Sequence, residues 1–365
     1  MLRVLFLLAI HLLHCFVLPI ASVYANNQKL DEHHHGAVMV SATIELRDEK
    51  DLPRLGIGTA ALRGYGSSVV EEALSYGVML IDTAQAPEWY SEAEVGRGIE
   101  SFLAHNDLMS SNQCSYGDIY IVTKIHPRSF ERTAMNDALT KSRNLLTRNT
   151  KPLDLVLLHS PYCWEGHCTS EQLRHTWQDA WRNLEEQKRD GFLVNHIGVS
   201  NFDLPLLQEL LQLTTSKANN NGKMTQVTAV QNWCDPFHQD REVRAFLRAQ
   251  GIQYMAYSTL GSQWLHKDVL QGINPVLTDK TLSRIAATYS VTVAEVVICW
   301  ALQEGMVVIP RSTNSEHLLL NSFRGRRSSA MNSTNIRNGD LKCFLAPQDM
   351  QDIQQLDGTL GVPWD

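Results

Sequence analysis

The stretch Leu153-Asp154-Leu155-Val156-Leu157-Leu158-His159 forms a short, mainly apolar run that ends in a polar side chain. A run of this length and composition is typical of a strand buried on both faces of a parallel sheet. Amphipathic segments of helical period precede it at Thr133 to Leu146 and follow it at Ser170 to Asp190. The surroundings of this strand therefore predict a strand–helix repeat, the building block of α/β proteins.

The same alternation continues through the chain beyond residue 50. Other apolar runs predict strands at Val78 to Asp82, Ile119 to Thr123, His196 to Val199, Thr228 to Gln231, Gln253 to Tyr257 and Val307 to Ile309. Helix-period segments lie between them at Ser67 to Tyr76, Ala93 to His105, Leu204 to Thr214 and Asp240 to Gln250. Seven or eight such units predict a parallel sheet closed into a (β/α)8 barrel. A doubly wound sheet loses its main support, because no Gly-x-Gly-x-x-Gly follows the first strand.

Length and charge narrow the possible functions. The chain has 365 residues, of which 44% are hydrophobic and 19% charged, and its formal net charge is -7. An α/β barrel commonly uses this many residues as one domain. The negative net charge supplies no basic field for a polyphosphate backbone, so we expect no nucleic-acid partner.

The first 25 residues differ from the rest of the chain. A basic start, an apolar run from Val4 to Ile20 and small residues from Ala21 to Ala25 form the pattern of a signal peptide. We expect cleavage, a flexible lead-in over residues 26–50 and one barrel domain over 51–365, without stable membrane insertion. The expected location is the endoplasmic reticulum lumen or the exterior. The alternatives are an uncleaved membrane anchor and an organelle reached by the secretory route.

The cysteines are compatible with an oxidising compartment. Seven are present, and loss of Cys15 with the signal peptide leaves six, an even number that permits disulfides. Cys163 and Cys168 are the best candidate pair, because the loop between them could close on itself. No metal site is predicted, since zinc would need two further ligands nearby. A polar insertion near 322–340 contains the sequon at Asn332, which predicts a glycosylated surface loop.

Polar side chains follow the predicted strands. The carboxyl ends of barrel strands lie on one face, where the chemistry of such barrels is found. The residues expected to meet there are Asp82, Lys124, His159, Ser200, Asn201, Gln231, Tyr257, Ser258 and Arg311. The tryptophans near strand ends are Trp89, Trp164, Trp233 and Trp264. They predict an aromatic pocket for an apolar aldehyde or ketone, with simple core packing as the alternative.

Eight segments that include these residues resemble the motifs of the aldo-keto reductase family, in the family's order. They are Leu52 to Thr59, Ile81 to Ala84, Ser91 to Gly96, Val122 to Lys124, Asp154 to His159, Ile197 to Phe202, Tyr257 to Ser262 and Ile309 to Asn314. The resemblance extends from about Leu52 to Leu356. It implies a monomeric barrel enzyme that reduces an aldehyde or ketone to an alcohol with hydride from NADPH.

The resemblance implies a catalytic set of Asp82, Tyr90, Lys124 and His159. Hydride that arrives at a carbonyl carbon leaves negative charge on the oxygen, which then needs a proton donor and a nearby positive charge. In this family a lysine stabilises the phenolate of the donor tyrosine, and the aspartate pairs with that lysine. By resemblance, His159 would orient the carbonyl oxygen.

The proton donor is where this sequence departs from the family's pattern. The family has its tyrosine five residues after the aspartate, but Pro87 stands at that position. Counting back from Gly96 leads to Trp89, and Tyr90 comes one residue later. Because an indole N–H is not acidic, Tyr90 is favoured as the donor, with Trp89 and His159 as substrate contacts. If Trp89 occupies the donor's position, the protein is instead a catalytically weak, cofactor-binding or regulatory barrel.

The resemblance also implies a cofactor site. The residues that it assigns to cofactor binding are Gly58, Thr59, Asp82, Ser200, Asn201, Gln231, Tyr257, Ser258, Leu260, Ser262, Arg311, Ser312, Thr313, Asn314, His317 and Asn321. Arg311 and Ser312 would bind the adenosine 2′-phosphate, which favours NADPH over NADH. His317 stands where the family often has an arginine, so weaker affinity for that phosphate is expected.

Overall fold

The computed structural model describes residues 41–44, 51–60, 66–109, 114–215, 226–265, 272–323 and 343–361. The predicted signal peptide and the sequon at Asn332 lie outside the described residues. So do most of the predicted lead-in and most of the predicted polar insertion.

Eight parallel strands form the central sheet. A short antiparallel pair, β1 (Thr43–Ile44) and β2 (Leu52–Pro53), comes before it. The sheet consists of β3 (Gly56–Gly58), β4 (Leu80–Asp82), β5 (Tyr120–Ile125), β6 (Leu153–Leu158), β7 (Val194–Ser200), β8 (Ala229–Trp233), β9 (Gln253–Tyr257) and β10 (Val307–Val308). Neighbours in the chain are neighbours in the sheet. A parallel bridge between Leu55 and Val308 joins its two edges, which confirms the predicted (β/α)8 barrel.

Helices follow the strands around the barrel. They are α1 (Ser67–Ser75), α2 (Glu92–Met109), α3 (Arg132–Thr147), α4 (Trp177–Asp190), α5 (Leu204–Thr215), α6 (Arg241–Gln250), α7 (Pro275–Thr278), α8 (Lys280–Tyr289), α9 (Val293–Gln303), α10 (Ser315–Asn321) and α11 (Pro347–Gln354). Among the described residues, no single helix is long and apolar enough to cross a membrane. Only α8 and α9 together meet that test, and they are bent by 91°.

The start of α4 differs from the prediction. The helix was predicted from Ser170 but begins at Trp177. Thr176 is its N-cap and accepts a hydrogen bond from the Asp179 N–H at 3.2 Å, and a 3-10 turn (Gln172–Arg174) precedes it. The loop after β6 is therefore longer than the helical period of the sequence indicates.

Two apolar layers position the site. One lies inside the barrel, where every second residue of a strand points inward, and it consists of Leu52, Leu80, Tyr120, Val122, Leu155, Leu157, Ala229, Met255, Val307 and Ile309. Gly198 leaves room for this layer, since a Cβ there would lie 2.1 Å from the Ala229 carbonyl oxygen. The second layer packs the helices onto the strands and includes the buried Trp181 and Trp300. The filled interior leaves the carboxyl ends of the strands as the place for polar side chains.

Two disulfides lie within the described part of the chain. Cys163 and Cys168 are joined, as predicted. Cys299 of α9 is joined to Cys343, a pairing that was not predicted. Cys234 is buried and carries a free thiol.

Candidate active site

An ion pair lies at the centre of the carboxyl face. Lys124 Nζ donates to Asp82 Oδ2 at 2.6 Å and to the Thr83 carbonyl oxygen at 2.9 Å. Gln231 Nε2 donates to the other Asp82 oxygen at 2.7 Å. All three side chains lie at inward positions at or near the ends of their strands, two residues beyond Leu80, Val122 and Ala229 of the interior layer.

Burial of the Asp82–Lys124 pair affects the charge state of the lysine. The side chains of Lys124 and Asp82 are only 1% and 3% exposed. Burial lowers the pKa of Lys124, whereas the carboxylate of Asp82 raises it. The lysine therefore depends on Asp82 to stay an ammonium ion.

His159 lies beside this pair, directly after β6. Its backbone N–H donates to the Ile125 carbonyl oxygen at 2.9 Å, which extends the pairing of β5 and β6. Burial lowers the pKa of His159 well below its usual value, and the charge of Lys124 lowers it further. The ring is therefore neutral at physiological pH. Its Nδ1 atom is buried and has no hydrogen-bond partner in the described part of the structure.

Tyr90 and Trp89 point to different neighbours. The Tyr90 ring lies 5.1 Å from Lys124 Nζ, measured to the ring centroid, and 5.8 Å from the His159 ring. Trp89 instead packs 5.4 Å from the Trp164 ring. The tyrosine thus joins the predicted catalytic set, while the tryptophan contacts the loop after β6.

The environment keeps Tyr90 protonated. Burial raises the pKa of its phenol, the carboxylate of Asp82 raises it further, and Arg311 lowers it. A neutral phenol is the form that can give up a proton. Arg311 lies after β10, so its influence links the predicted catalytic and cofactor residues.

A buried carboxyl group, that of Glu92, links the helix α2 to the strand that carries Lys124. Glu92, near the start of α2, accepts hydrogen bonds from Thr123 at 2.6 Å and Ser142 at 2.8 Å. Thr123 precedes Lys124, so the contact fixes α2 against β5. Burial raises the pKa of Glu92. The motif 91–96 was identified from the sequence, but this role of Glu92 was not.

The predicted nicotinamide residues meet at the ends of β7, β8 and β9. Asn201 has a left-handed φ of 61° and donates from Nδ2 to the His159 carbonyl oxygen at 2.8 Å. The Tyr257 hydroxyl donates to Asn201 Oδ1 at 2.6 Å. The Ser200 hydroxyl donates to the Gln231 carbonyl oxygen at 2.7 Å.

The residues predicted for the pyrophosphate form a tight turn after β9. Ser258 has φ of 54°, and Ser262 Oγ lies 2.9 Å from Ser258 Oγ. Gly261 has φ of 80°, and a Cβ there would lie 2.4 Å from Asn274 Oδ1. Leu260 is half-buried between them and accepts a hydrogen bond from Asn274 Nδ2 through its carbonyl oxygen at 2.8 Å.

The residues predicted for the adenosine end follow β10. Arg311 is exposed and donates to the Ala60 carbonyl oxygen after β3. Asn314 caps α10 by accepting from the His317 N–H at 3.1 Å. The remaining predicted residues here are Ser312, Thr313 and Asn321, of which only Asn321 is buried.

Gly58 and Thr59 have backbone roles. The Gly58 N–H donates to the Pro310 carbonyl oxygen at 3.1 Å and helps to close the barrel. The Thr59 hydroxyl donates to the Asp82 carbonyl oxygen at 2.9 Å, in a fully buried position. That hydroxyl supports β4 and is already engaged.

The four tryptophans divide into two pairs. Trp233 and Trp264 are buried, and their indole N–H groups both donate to Asp235, at 2.9 and 2.7 Å. Trp89 and Trp164 are half-buried, and Trp164 lies 4.9 Å from the His159 ring. Of the two pairs, only Trp89 and Trp164 make ring contacts with the predicted catalytic residues or with the loop after β6.

Three polar residues near Trp164 were missed from the sequence. His126 is buried, and its ring lies 5.2 Å from that of Trp164. Arg128 pairs with Glu88. His126 could have been found by its spacing, because it follows Lys124 by two residues and so continues the inward face of β5.

A group of metal-type ligand atoms lies in the same place. His126, Cys163 and Cys168 each contribute one potential ligand atom, and these three atoms lie within 4.8 Å of one another. The two sulfurs are joined as a disulfide, and metal binding requires thiolates. In this state the group is a disulfide beside a histidine.

Comparisons with known proteins agree with this geometry. Residues 54–324 match the model of the Aldo/keto reductase family. A methylglyoxal reductase DkgB of Salmonella typhimurium is 30% identical over 269 residues, which cover 73% of this chain and 85% of the relative. An NADPH-dependent D-xylose reductase of Meyerozyma guilliermondii is 25% identical and covers 88% and 97%.

A solved structure is similar over nearly the same length. The crystal structure of Gox0644 in its apo form has a TM-score of 0.65 to this chain at 26% sequence identity, covering 88% of this chain and 96% of the other. The closed barrel, the buried Asp82–Lys124 pair and the family match over most of the chain lead to one conclusion. The chain is a member of the aldo/keto reductase family.

Proposed function

We propose that the protein reduces an aldehyde or ketone to an alcohol with hydride from NADPH, and that Tyr90 is the proton donor. The observation that carries this proposal is the position of the Tyr90 ring, which contacts both Lys124 Nζ and the His159 ring. The relatives support the reaction class, since one is named a methylglyoxal reductase and another an NADPH-dependent D-xylose reductase.

The residues at the carboxyl face have the chemistry that a nicotinamide cofactor needs. Asn201 and Gln231 supply amide groups, and Tyr257 supplies a ring at the same edge. Arg311 supplies a guanidinium and Ser312 a hydroxyl, a combination suited to a phosphate dianion. When bound, the cofactor supplies the hydride. We infer that these five residues would hold it.

Proton transfer is the task of the chain's own residues. His159 is neutral, so its ring can donate a hydrogen bond to a carbonyl oxygen without competing as a strong acid. Tyr90 is protonated and can pass its proton to that oxygen as negative charge develops there. The ammonium of Lys124, kept charged by Asp82, would then stabilise the phenolate that remains.

The test is a comparison of three variants by NADPH consumption with methylglyoxal and with benzaldehyde. Tyr90→Phe should lower kcat at least about 100-fold, since a positioned general acid contributes about that much. Trp89→Phe should stay within about tenfold, because an indole lost from the pocket costs binding rather than proton transfer. Tyr162→Phe is the matched control, since that tyrosine is 66% exposed.

Binding of NADPH, measured by fluorescence titration, separates the two functions that the sequence leaves open. If the unmodified protein binds NADPH tightly but reduces no carbonyl compound, the protein is a cofactor-binding or regulatory barrel. If Trp89→Phe loses activity and Tyr90→Phe does not, our assignment of the donor is wrong.

We further infer that the protein enters the secretory route. The argument rests on the signal-like pattern of residues 1–25 and on the disulfides Cys163–Cys168 and Cys299–Cys343. Stable disulfides form mainly in oxidising compartments. A fluorescent reporter fused to residues 1–30 should reach the endoplasmic reticulum, and a cytosolic reporter would contradict the inference.

A further inference from the structure

A small covalent ring lies beside the proposed active site. The Cys163–Cys168 disulfide closes it over a sequence separation of five residues, in the loop between β6 and α4. We call this segment the 163–168 ring. The proposed reaction does not use the disulfide itself. The disulfide can still affect the reaction through the side chains that the 163–168 ring holds in place.

The ring directs one side chain toward the proposed site of reduction. Trp164 lies 4.9 Å from His159, 5.4 Å from Trp89 and 5.2 Å from His126, measured between ring centroids. Two of these contacts are edge-on, at interplanar angles of 74°. Edge-to-face contacts at this range are favourable and directional. Trp164 therefore forms one wall beside the histidine that would orient the carbonyl oxygen.

The ring also braces the loop that carries the proposed acid. The His167 ring lies 5.1 Å from that of Trp89, and His167 Nδ1 lies 3.6 Å from Glu88 Oε1. Burial opposes ionisation of Glu88, but the hydrogen bond from Arg128, a backbone hydrogen bond, the charge of Arg128 and the hydrogen bond from His167 together lower its pKa to about 2. Glu88 and Trp89 directly precede Tyr90, so contacts from the ring reach the donor's own loop.

Among the described residues, few other contacts hold the ring in position. Glu165 and Gly166 are exposed, as are Tyr162 before the ring and Thr169 after it. Within the ring, the His167 N–H donates to the Trp164 carbonyl oxygen at 3.1 Å. Without the covalent link, the inward positions of Trp164 and His167 would have to be maintained by their ring contacts, by the backbone hydrogen bond between them and by the contact of His167 with Glu88. These contacts would act against the conformational entropy of the loop.

We propose that the Cys163–Cys168 disulfide determines the substrate range by holding Trp164 as an aromatic wall beside His159. This inference rests on the proposed reductase function. With the ring closed, the protein prefers carbonyl compounds with a flat, apolar substituent that can pack on the indole. With the ring open, the wall is lost and small aliphatic aldehydes are reduced with similar efficiency.

The same link can be opened chemically. A dithiol reductant gives two electrons and two protons to the disulfide, which yields the thiols of Cys163 and Cys168 and leaves the reductant as its own disulfide. Both cysteines are partly exposed, whereas Cys299 and Cys343, which form the second disulfide of the described residues, are buried. A mild reductant should therefore open the 163–168 ring first.

The test measures kcat/KM for benzaldehyde and for propanal with NADPH. The double variant Cys163→Ser/Cys168→Ser should lower the benzaldehyde-to-propanal ratio about tenfold, which corresponds to the loss of one or two aromatic contacts. Trp164→Ala, with the ring intact, should lower the ratio by a similar factor. The matched control Cys299→Ser/Cys343→Ser removes the Cys299–Cys343 disulfide and should leave the ratio unchanged.

The second measurement uses the unmodified protein and does not depend on the variants folding. Mild dithiothreitol treatment, with thiol labelling and mass spectrometry to show that only Cys163 and Cys168 react, should lower the ratio by the same factor. Reoxidation should restore it. An unchanged ratio after selective reduction overturns the inference. The failure of the unmodified protein to reduce either aldehyde would instead overturn the proposed function.

Discussion

The substitution Asp82→Asn probes the electrostatic centre of the site while keeping the shape of the side chain. It removes the charge that lies 2.6 Å from Lys124 Nζ, in a position where both side chains are almost fully buried. Removal of one partner of a buried pair typically costs about 3–5 kcal/mol, because the other charge stays buried without compensation. Lys124 keeps its hydrogen bond to the Thr83 carbonyl oxygen. We therefore expect a loss of about 3 kcal/mol, at the lower end of that range.

The loss should depend on pH in a definite direction. Burial already lowers the pKa of Lys124, and the raising effect of Asp82 disappears in the variant. The folded variant then binds fewer protons than the unfolded chain between the lowered pKa and about 10.4, the value for a free lysine. In that window the free energy of unfolding rises with pH, so the deficit of the variant should shrink between pH 7 and pH 9.5.

Urea denaturation of three proteins at these two pH values is the assay. The third protein is Asp82→Asn/Lys124→Met, which removes both charges and should recover about 2 kcal/mol relative to Asp82→Asn. If Asp82→Asn matches the unmodified protein, or if the double variant is no more stable than Asp82→Asn, the charge of Lys124 does not depend on Asp82. The account of the site would then fail.

Three further perturbations test other parts of the structure. Arg311→Ala should weaken NADPH binding about tenfold or more while changing NADH binding little, because a charge-assisted contact contributes about 1.5–3 kcal/mol; equal losses in fluorescence titrations would refute the 2′-phosphate assignment. Gly198→Ala should lower the free energy of unfolding by about 1–3 kcal/mol, since its Cβ would lie 2.1 Å from the Ala229 carbonyl oxygen; an unchanged urea midpoint would mean that β7 and β8 can separate freely. Burial raises the pKa of Asp235 to about 6. Tryptophan fluorescence should therefore titrate near pH 6 and Asp235→Asn should abolish that transition, whereas its persistence in the variant would place it elsewhere.

Most of the correct predictions about the barrel and the site came from the apolar pattern of the strands. Lys124 and Asp82 lie at inward positions of strands whose apolar runs mark them clearly, so their meeting follows from barrel geometry. His159 follows from the same argument. The signal was strong because each of these strands is buried on both faces and therefore reads as a continuous apolar run.

The positions of side chains in the loops could not be predicted from the sequence. The sequence leaves Trp89 and Tyr90 as alternatives, because loop spacing does not fix where a side chain points. In the structure Trp89 contacts Trp164 and Tyr90 lies beside Lys124, and this difference supports the proposal that Tyr90 is the donor. The later start of α4, at Trp177, has a similar origin, since polar loop residues there continue the helical period.

Contacts between residues far apart in the chain could not be predicted from the sequence either. Cys299 and Cys343 are separated by 44 residues, and connectivity over such a distance cannot be derived from spacing alone. Cys163 and Cys168 were accessible because only a short loop lies between them. The pairing of Arg128 with Glu88 depends on two loops whose relative position only the folded barrel defines.

The transfer of deuterium from NADPH labelled at the reactive C4 position tests the central claim most directly. The unmodified protein should give an alcohol with one deuterium at the former carbonyl carbon of benzaldehyde, detected by mass spectrometry. Tyr90→Phe should give almost none in the same time while still binding NADPH. An unlabelled alcohol from the unmodified protein, or equal labelling by Tyr90→Phe, would contradict hydride transfer with Tyr90 as the proton donor.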